Sequence, residues 1–388
     1  MKSRSIAVAL LATVALFGTA AGASTEKVLY SFPANSFVTG RPDQDSKGAL
    51  YGAAYDMDGY GAIVRLKQKN GSWREKTLLD FGGSRGANPW AGPLIDRTTG
   101  ILYGTTQFGG SFGYGAVYAL APAGRGWSET VLHSFDSSDG AYPYDVLLKD
   151  KATGNLYGTT NYGATNGCGT AFQLTQVNGN WTFSTIYNFQ GGSDACQPWT
   201  QLKPGAKAGT LIGATSGLGQ VFELKQKNGV WSDSVLYSFA GGSDGGVPWD
   251  LDASSDGSIY GVANIGGQYG NGVVFKLTPN LKQYTYSVVY SFRGGTDGQY
   301  PTGINFDAAT GNLYGATSNG GTSNDGTVFR LAPNGNGWTE TVLHSFTGGS
   351  DGALPYSRPV VDRATGALYG TTTEGGVNNG GTVYTVQP

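Results

Sequence analysis

The sequence predicts an all-β fold, a seven-bladed β-propeller of four-stranded antiparallel blades, and three observations predict it. First, a Leu-Tyr-Gly marker recurs with its aromatic at Tyr51, Tyr103, Tyr157, Tyr260, Tyr314 and Tyr369, and with Ile212 in the fourth place. The spacings run from 48 to 55 residues, and a glycine follows in all seven copies. Second, a phenylalanine closing each Ser-Phe-like stretch keeps step at Phe32, Phe81, Phe135, Phe189, Phe239, Phe292 and Phe346. A fixed period near 50 residues marks a repeat architecture. Third, the two ends of the repeat array are incomplete in complementary ways.

The elements follow in chain order. Lys2 and Arg4 form a basic start, residues 6–17 are apolar but short for a bilayer, and Ala21-Gly22-Ala23 offers a cleavage site. Residues 1–23 therefore read as a secretory signal in preference to a retained anchor, leaving 24–388 as the propeller. Within one unit, 127–135 is rich in β-formers and is the outer strand, D. Residues 138–143 are a turn and 144–149 the innermost strand, A. Residues 150–154 are a hairpin turn, 156–160 strand B, 161–169 a glycine-rich loop and 170–174 strand C. No helical periodicity appears after the signal. Strand D carries Val131, His133 and Phe135 on one face and Leu132 on the other, so both faces are apolar, as stacked blades require.

The mature chain opens on a lone D strand, 26–32, and stops on a C strand, 382–386. The N-terminal strand is expected to complete the last blade, which closes the ring and removes free edges. The first A strand, around 40–45, is the most degenerate copy.

Because strands alternate in direction, the D-to-A and B-to-C loops share one face. Cys168 lies in a B-to-C loop and Cys196 in the next D-to-A loop, 28 positions on. An exported protein favours oxidation. A disulfide is expected, stabilising by about 3–4 kcal/mol on the chain-entropy estimate. On the same face a proline precedes strand A in six units, followed by Trp90, Tyr144, Trp199, Trp249, Thr302 or Tyr356. These residues are expected to ring the mouth of the central channel. They either fill gaps between blades at the hub or present flat apolar faces on which sugar rings stack. Asp145, Asp250 and Arg358 depart from the shared pattern and are the sharper functional candidates.

Other features read as structure. The aspartates Asp139, Asp194, Asp244, Asp297 and Asp351, with Arg85 in one copy, suit turns. The tryptophans Trp73, Trp127, Trp181, Trp231 and Trp338 read as outer packing. The only histidines, His133 and His344, stand where other copies have Tyr30, Leu79, Tyr187, Tyr237 and Tyr290. Their place in the packing argues against histidine-based nucleophilic catalysis and against a zinc site. No metal and no cofactor are expected. If the protein is an enzyme, its chemistry falls to carboxylates, with Asp145, Asp250 and Glu374 as candidates on this face for glycoside hydrolysis.

The run Leu368-Tyr369-Gly370-Thr371-Thr372, then Gly375-Gly376, then Gly381-Thr382-Val383-Tyr384, is similar to the repeat of the exported bacterial proteins called choice-of-anchor GloVer tandem-repeat proteins. Residues 313–331 match it as well, and the resemblance covers nearly the whole mature chain. It implies an exported, repeat-built protein and no particular reaction. Some members of that family carry C-terminal anchors; this chain stops at Pro388 just after its last strand, so free secretion or a periplasmic location is expected.

Removal of Lys2 and Arg4 leaves 23 basic against 27 acidic side chains, a balance that argues against nucleic acid. The expected partner is a glycan or another extracellular ligand held by a monomer, with no membrane span after signal cleavage. Three readings stay open: a carbohydrate-binding propeller, a polysaccharide-degrading hydrolase or lyase, and a protein-protein scaffold or adhesin.

Overall fold

The computed structural model describes residues 24–388 apart from 35, 57, 58, 217, 218, 282 and 336; the expected leader, 1–23, lies outside the described residues. Seven four-stranded antiparallel sheets form the ring. Blade 1 comprises Ser36–Gln44, Leu50–Asp56, Ala62–Lys69 and Ser72–Asp80, as strands A to D. Blade 3 comprises Leu148–Lys149, Leu156–Thr160, Thr170–Val177 and Asn180–Asn188. Blade 7 takes Val360–Val361, Leu368–Thr372 and Thr382–Gln387 from the C-terminus and Thr25–Ser31 from the N-terminus. Thr25 pairs with Gln387 and Ser31 with Thr382, which is the expected closure. Helical structure among the described residues is limited to two 3-10 turns, Gly83–Arg85 and Gly295–Asp297.

Two expectations are corrected. The A strands are uneven. In blade 3 only Leu148–Lys149 pairs regularly. Tyr144 to Leu147 instead make bonds across blades: Thr105 Oγ1 donates to the Asp145 carbonyl and Gln201 Nε2 to the Leu147 carbonyl. Blade 1, whose A strand is the most degenerate in sequence, has the longest one, interrupted by a register shift between Thr39 and Asp43. Strand D does not alternate simply either. His133 pairs with Val117 and Val131 with Tyr118, so Leu132 is an extra, bulged residue. Val131 and His133 therefore oppose consecutive residues and do not share one face as a straight strand would have them. The same shift occurs in all seven blades. A bulge adds local twist, and a blade fanning out from a narrow hub needs that twist.

The repeated motifs are seam residues. The phenylalanine after strand D of one blade meets, edge to face, an aromatic of strand C in the next. The pairs are Phe81–Tyr118, Phe135–Phe172, Phe189–Phe222, Phe239–Phe275, Phe292–Phe329 and Phe346–Tyr384, with ring centroids 5.0–5.3 Å apart. Each strand-C ring lies over the Leu-Tyr-Gly glycine of its own blade. A Cβ on Gly104, Gly158, Gly213, Gly261, Gly315 or Gly370 would enter that ring. In blade 1 the ring is replaced by Val64, and Gly52 has space, with Val64 4.0 Å away. The marker tyrosine packs outward on the next blade's tryptophan, as in Tyr103–Trp181 at 5.7 Å and Tyr157–Trp231 at 6.2 Å.

The turn aspartates cap the seam. Asp194, Asp244, Asp297 and Asp351 each accept a backbone N–H four residues earlier. Each also bonds the residue seven positions back: Tyr187, Tyr237, Tyr290 or His344. His133 bonds Asp139 at 2.7 Å in the same way. This explains why histidine and tyrosine interchange at one position.

A further acid from the next blade's strand D comes close at several of these turns. Where Arg85 replaces the turn aspartate, it pairs with Glu129 at 2.6 Å. Elsewhere acid faces acid. Burial and then Asp351 raise Glu26 to about 7, and burial and then Asp297 raise Glu340 to about 7. Burial and a hydrogen bond with Asp194 raise Asp233.

Two predictions follow from the seams. An acid raised from 4.5 to about 7 binds its proton more tightly in the folded state. Its contribution is intact below the unfolded pKa and is lost as pH rises from there through about 7. The triple variant Glu26→Gln, Glu340→Gln, Asp233→Asn is therefore expected to melt above the wild type at pH 8, with the gap shrinking at pH 5; a gap independent of pH would contradict this origin. Separately, Gly158→Ala is expected to destabilise by about 1–3 kcal/mol through overpacking against Phe172 and Leu147. Gly52→Ala is expected to stay within about 0.5 kcal/mol, both read from denaturant midpoints.

Candidate functional site

The mouth of the channel is built by one repeated backbone device. The residue before each proline, Asn88, Tyr142, Gln197, Val247, Tyr300 or Leu354, has a φ of 54–59°. This left-handed conformation is costly for a residue with a side chain. It is held in place from outside. The N–H of Tyr142 donates to Tyr114 of the preceding blade's B-to-C loop, and its carbonyl accepts Asn161 N–H of its own blade. Asn88, Gln197 and Leu354 are pinned likewise. The reversal sends the next-but-one residue over the channel.

The aromatics form a continuous arc. Tyr55–Trp90 centroids are 5.7 Å apart, Trp90–Tyr144 6.2 Å, Tyr144–Trp199 4.7 Å and stacked, and Trp199–Trp249 5.5 Å. The arc crosses blades 1 to 5. Thr302, in the sixth place, is buried, and its hydroxyl faces the carbonyls of Ala316 and Pro355. Tyr356 is exposed across the mouth.

A cavity of about 440 Å³ lies within this arc. All of the residues singled out from the sequence on this face line it: Trp90, Tyr144, Asp145, Trp199, Trp249, Asp250, Tyr356, Arg358 and Glu374. The disulfide between Cys168 and Cys196 forms on the same face, with Cα atoms 4.6 Å apart. It clamps the turn before Trp199, where Gln197 N–H donates to the Cys168 carbonyl.

The floor is charged. Arg358 is 6% exposed and crosses the channel from blade 7. It donates to the carbonyls of Leu251 and Ile304 and to Gln201 Oε1, and lies 3.7 Å from Asp250 and 3.8 Å from Asp252. Burial opposes its charge, but Asp250, Asp252 and Asp145 raise its pKa above the ordinary value. Asp250 accepts the N–H groups of Leu251 and Ile304, and Asp252 those of Ala253 and Phe306. These aspartates tie blade 5 to blade 6. Lys203 is buried beneath, donates to Gln201 Oε1 at 2.7 Å, and is lowered to about 7 by burial and then by Arg358. Asp145 accepts Val146 N–H at 2.6 Å; burial raises its pKa, opposed in part by that bond. Glu374 is exposed at the rim, with its backbone paired to Ala353.

Sequence reasoning missed Tyr55, Arg41 and Gln201. Tyr55 ends a B strand and carries no proline signal; the missing Pro-aromatic pair in blade 1 was the available clue. Arg41 and Gln201 sit in or next to A strands, whose alignment across blades the short ladders obscure.

Fold and site together define a closed repeat propeller with an aromatic mouth over a charged channel floor. The chain belongs to the Gloeobacter/Verrucomicrobia repeat family, whose model matches residues 14–220 and 247–388. No curated protein matches the chain in sequence. Among solved structures, it is similar to a "putative 6-phosphogluconolactonase" of Bacteroides uniformis, with 13% identity, TM-score 0.53, and coverage of 87% of this chain and 89% of that one. A second protein of the same description, from Bacteroides fragilis, gives 15% identity, TM-score 0.51 and coverage of 88% and 89%. A protein from Lactobacillus plantarum gives 12% identity, TM-score 0.55 and coverage of 81% and 85%. At these identities the likeness extends to the fold.

Arg358 touches three other blades, 4, 5 and 6. Arg358→Met is expected to destabilise by about 1–3 kcal/mol, because it removes the cation and the cross-blade hydrogen bonds from beside the half-buried Asp250 and Asp252. A denaturant midpoint within about 0.5 kcal/mol of wild type would contradict that role.

Proposed function

We propose that the protein is an exported carbohydrate-binding propeller whose ligand enters the channel mouth and stacks on the Tyr55–Trp90–Tyr144–Trp199–Trp249 arc. The arc is the observation that carries the reading. Five adjoining aromatic side chains line one cavity and leave part of their faces accessible, whereas the seam phenylalanines other than Phe239 are buried. Aromatic faces beside polar groups suit the alternating apolar and hydroxylated faces of sugars. Around the mouth, Tyr60, Phe112, Tyr114, Tyr162, Tyr269 and Tyr300 are exposed on the same face. This wider aromatic surface supports an extended chain as ligand. The disulfide supports export to an oxidising compartment. Among the described residues no helix is long and apolar enough to cross a membrane.

Binding is favoured over hydrolysis because Asp250, one of the paired carboxylates that hydrolysis would need, is engaged by two N–H groups and Arg358. A scaffold or adhesin role has no comparable support, since the aromatic surface converges on a cavity.

Trp199→Ala is the informative variant, since Trp199 stacks on Tyr144 and contacts Trp249. On a panel of soluble plant, bacterial and algal polysaccharides, read by affinity electrophoresis, it is expected to weaken retention at least tenfold without lowering the melting temperature appreciably. Retention equal to wild type on every retained polysaccharide would remove the arc from the binding site.

A further inference from the structure

The cavity contains one cation, Arg41, whose side chain donates no hydrogen bond among the described residues. Arg41 lines the channel beside the arc and is partly accessible. It lies in the register shift of the first A strand, where Gly40 takes a φ of 72° and a Cβ there would strike the backbone of Ala91 and Gly92. The bulge thus presses the chain against blade 2 and carries Arg41 to the hub. Its guanidinium interacts electrostatically with Arg358, Asp43, Asp250 and Asp145, contributed by blades 7, 1, 5 and 3. It lines the same cavity as Asp145, Asp250 and Arg358.

The hydrogen bonds separate the two arginines. Arg358 donates to two carbonyls and a glutamine oxygen and has two carboxylates within 4 Å. Asp43 is bound by the Ile95 N–H and by Arg97 at 2.6 Å. Among the described residues no acceptor receives a hydrogen bond from the Arg41 side chain. Burial and then Arg358 lower its pKa to about 10, so it stays cationic at neutral pH. A guanidinium in a concavity that has carboxylates nearby but no hydrogen-bond acceptor has donors to offer an incoming anion. Its planar fork matches a carboxylate with two parallel hydrogen bonds. Asp145 and Asp250 nearby disfavour a doubly charged group such as a phosphate monoester, so a singly charged planar anion fits best.

We propose that the channel site recognises a uronic-acid unit, with its carboxylate on Arg41 and its ring on the aromatic arc. This rests on the carbohydrate reading and adds the class of sugar.

The test uses the whole mature protein with matched ligands: polygalacturonate, alginate and glucuronan oligomers, each native and methyl-esterified, alongside neutral cello- and xylo-oligosaccharides, by calorimetry. The expected result is binding of at least one native uronate oligomer, weakened at least tenfold by esterification. Arg41→Gln is expected to weaken that native oligomer at least tenfold and the ester little, and Arg41→Lys to recover part of the loss. Melting curves and the retained disulfide check that the variants fold. Binding of neutral oligomers alone, or of a uronate oligomer indifferent to both esterification and Arg41→Gln, would overturn the uronate assignment. If that binding still depended on Trp199, the carbohydrate reading would stand. Absence of binding across the panel would overturn both.

Discussion

Six of the seven seams of the ring turn on one aromatic ring from strand C, trapped between two neighbours. On one side it lies over the Leu-Tyr-Gly glycine of its own blade; on the other it receives the edge of the preceding blade's phenylalanine. A side chain at the glycine would displace the ring, and a displaced ring would lose the phenylalanine. Packing at crystal-like density makes such a contact all-or-none. The two most regular sequence markers are therefore the two halves of one seam. The exception fits: blade 1 has Val64 in place of the ring, and there Gly52 is not crowded.

With the seams set, the loops on the open face have little freedom. The D-to-A turns entering blades 2 to 7 each place a left-handed residue before the proline, and at Asn88, Tyr142, Gln197 and Leu354 the backbone bonds that hold it come from two different blades. No blade could sustain that conformation alone. The strain is supported by closure of the ring, and its product is an aromatic delivered to the hub. The same geometry brings Asp250, Asp252 and Arg358 within reach of neighbouring blades, so the floor of the cavity is also the lock of the channel.

How much of this could be read in the sequence depends on whether a feature repeats. The blade count, the closure by residues 25–31 and the Cys168–Cys196 bridge follow from phase alone, since alternation of strand direction assigns each loop to a face. The cluster Trp90, Tyr144, Trp199 and Trp249 was legible for the same reason. What stayed hidden is what breaks the period. The bulge at Leu132 leaves no mark in composition, because an extra apolar residue in an apolar strand looks like alternation with both faces buried. The His133–Asp139 and Tyr187–Asp194 bonds link two positions that each read separately as packing and turn. Arg41 lies in the copy whose strand A is least like the others, and only coordinates show that its neighbour Arg358 is hydrogen-bonded across the hub while, among the described residues, its own side chain is not.

That contrast bears on how such a repeat acquires a specific site. Seven near-identical blades would give a hub of one character all round, able to grip a ligand only weakly and in seven equivalent ways. Here the symmetry is broken in a few places: blade 1 bulges and brings in Arg41, blade 6 puts buried Thr302 where others have an aromatic, and blade 7 sends Arg358 across the axis. Arg358 engages the aspartates of blade 5 and bonds to blades 4, 5 and 6 across the axis. Arg41 lines the same cavity as the aromatic arc and, among the described residues, its side chain has no hydrogen-bond acceptor. The repeats supply the walls, and the departures from them supply a floor, a direction and a charge for a ligand to meet.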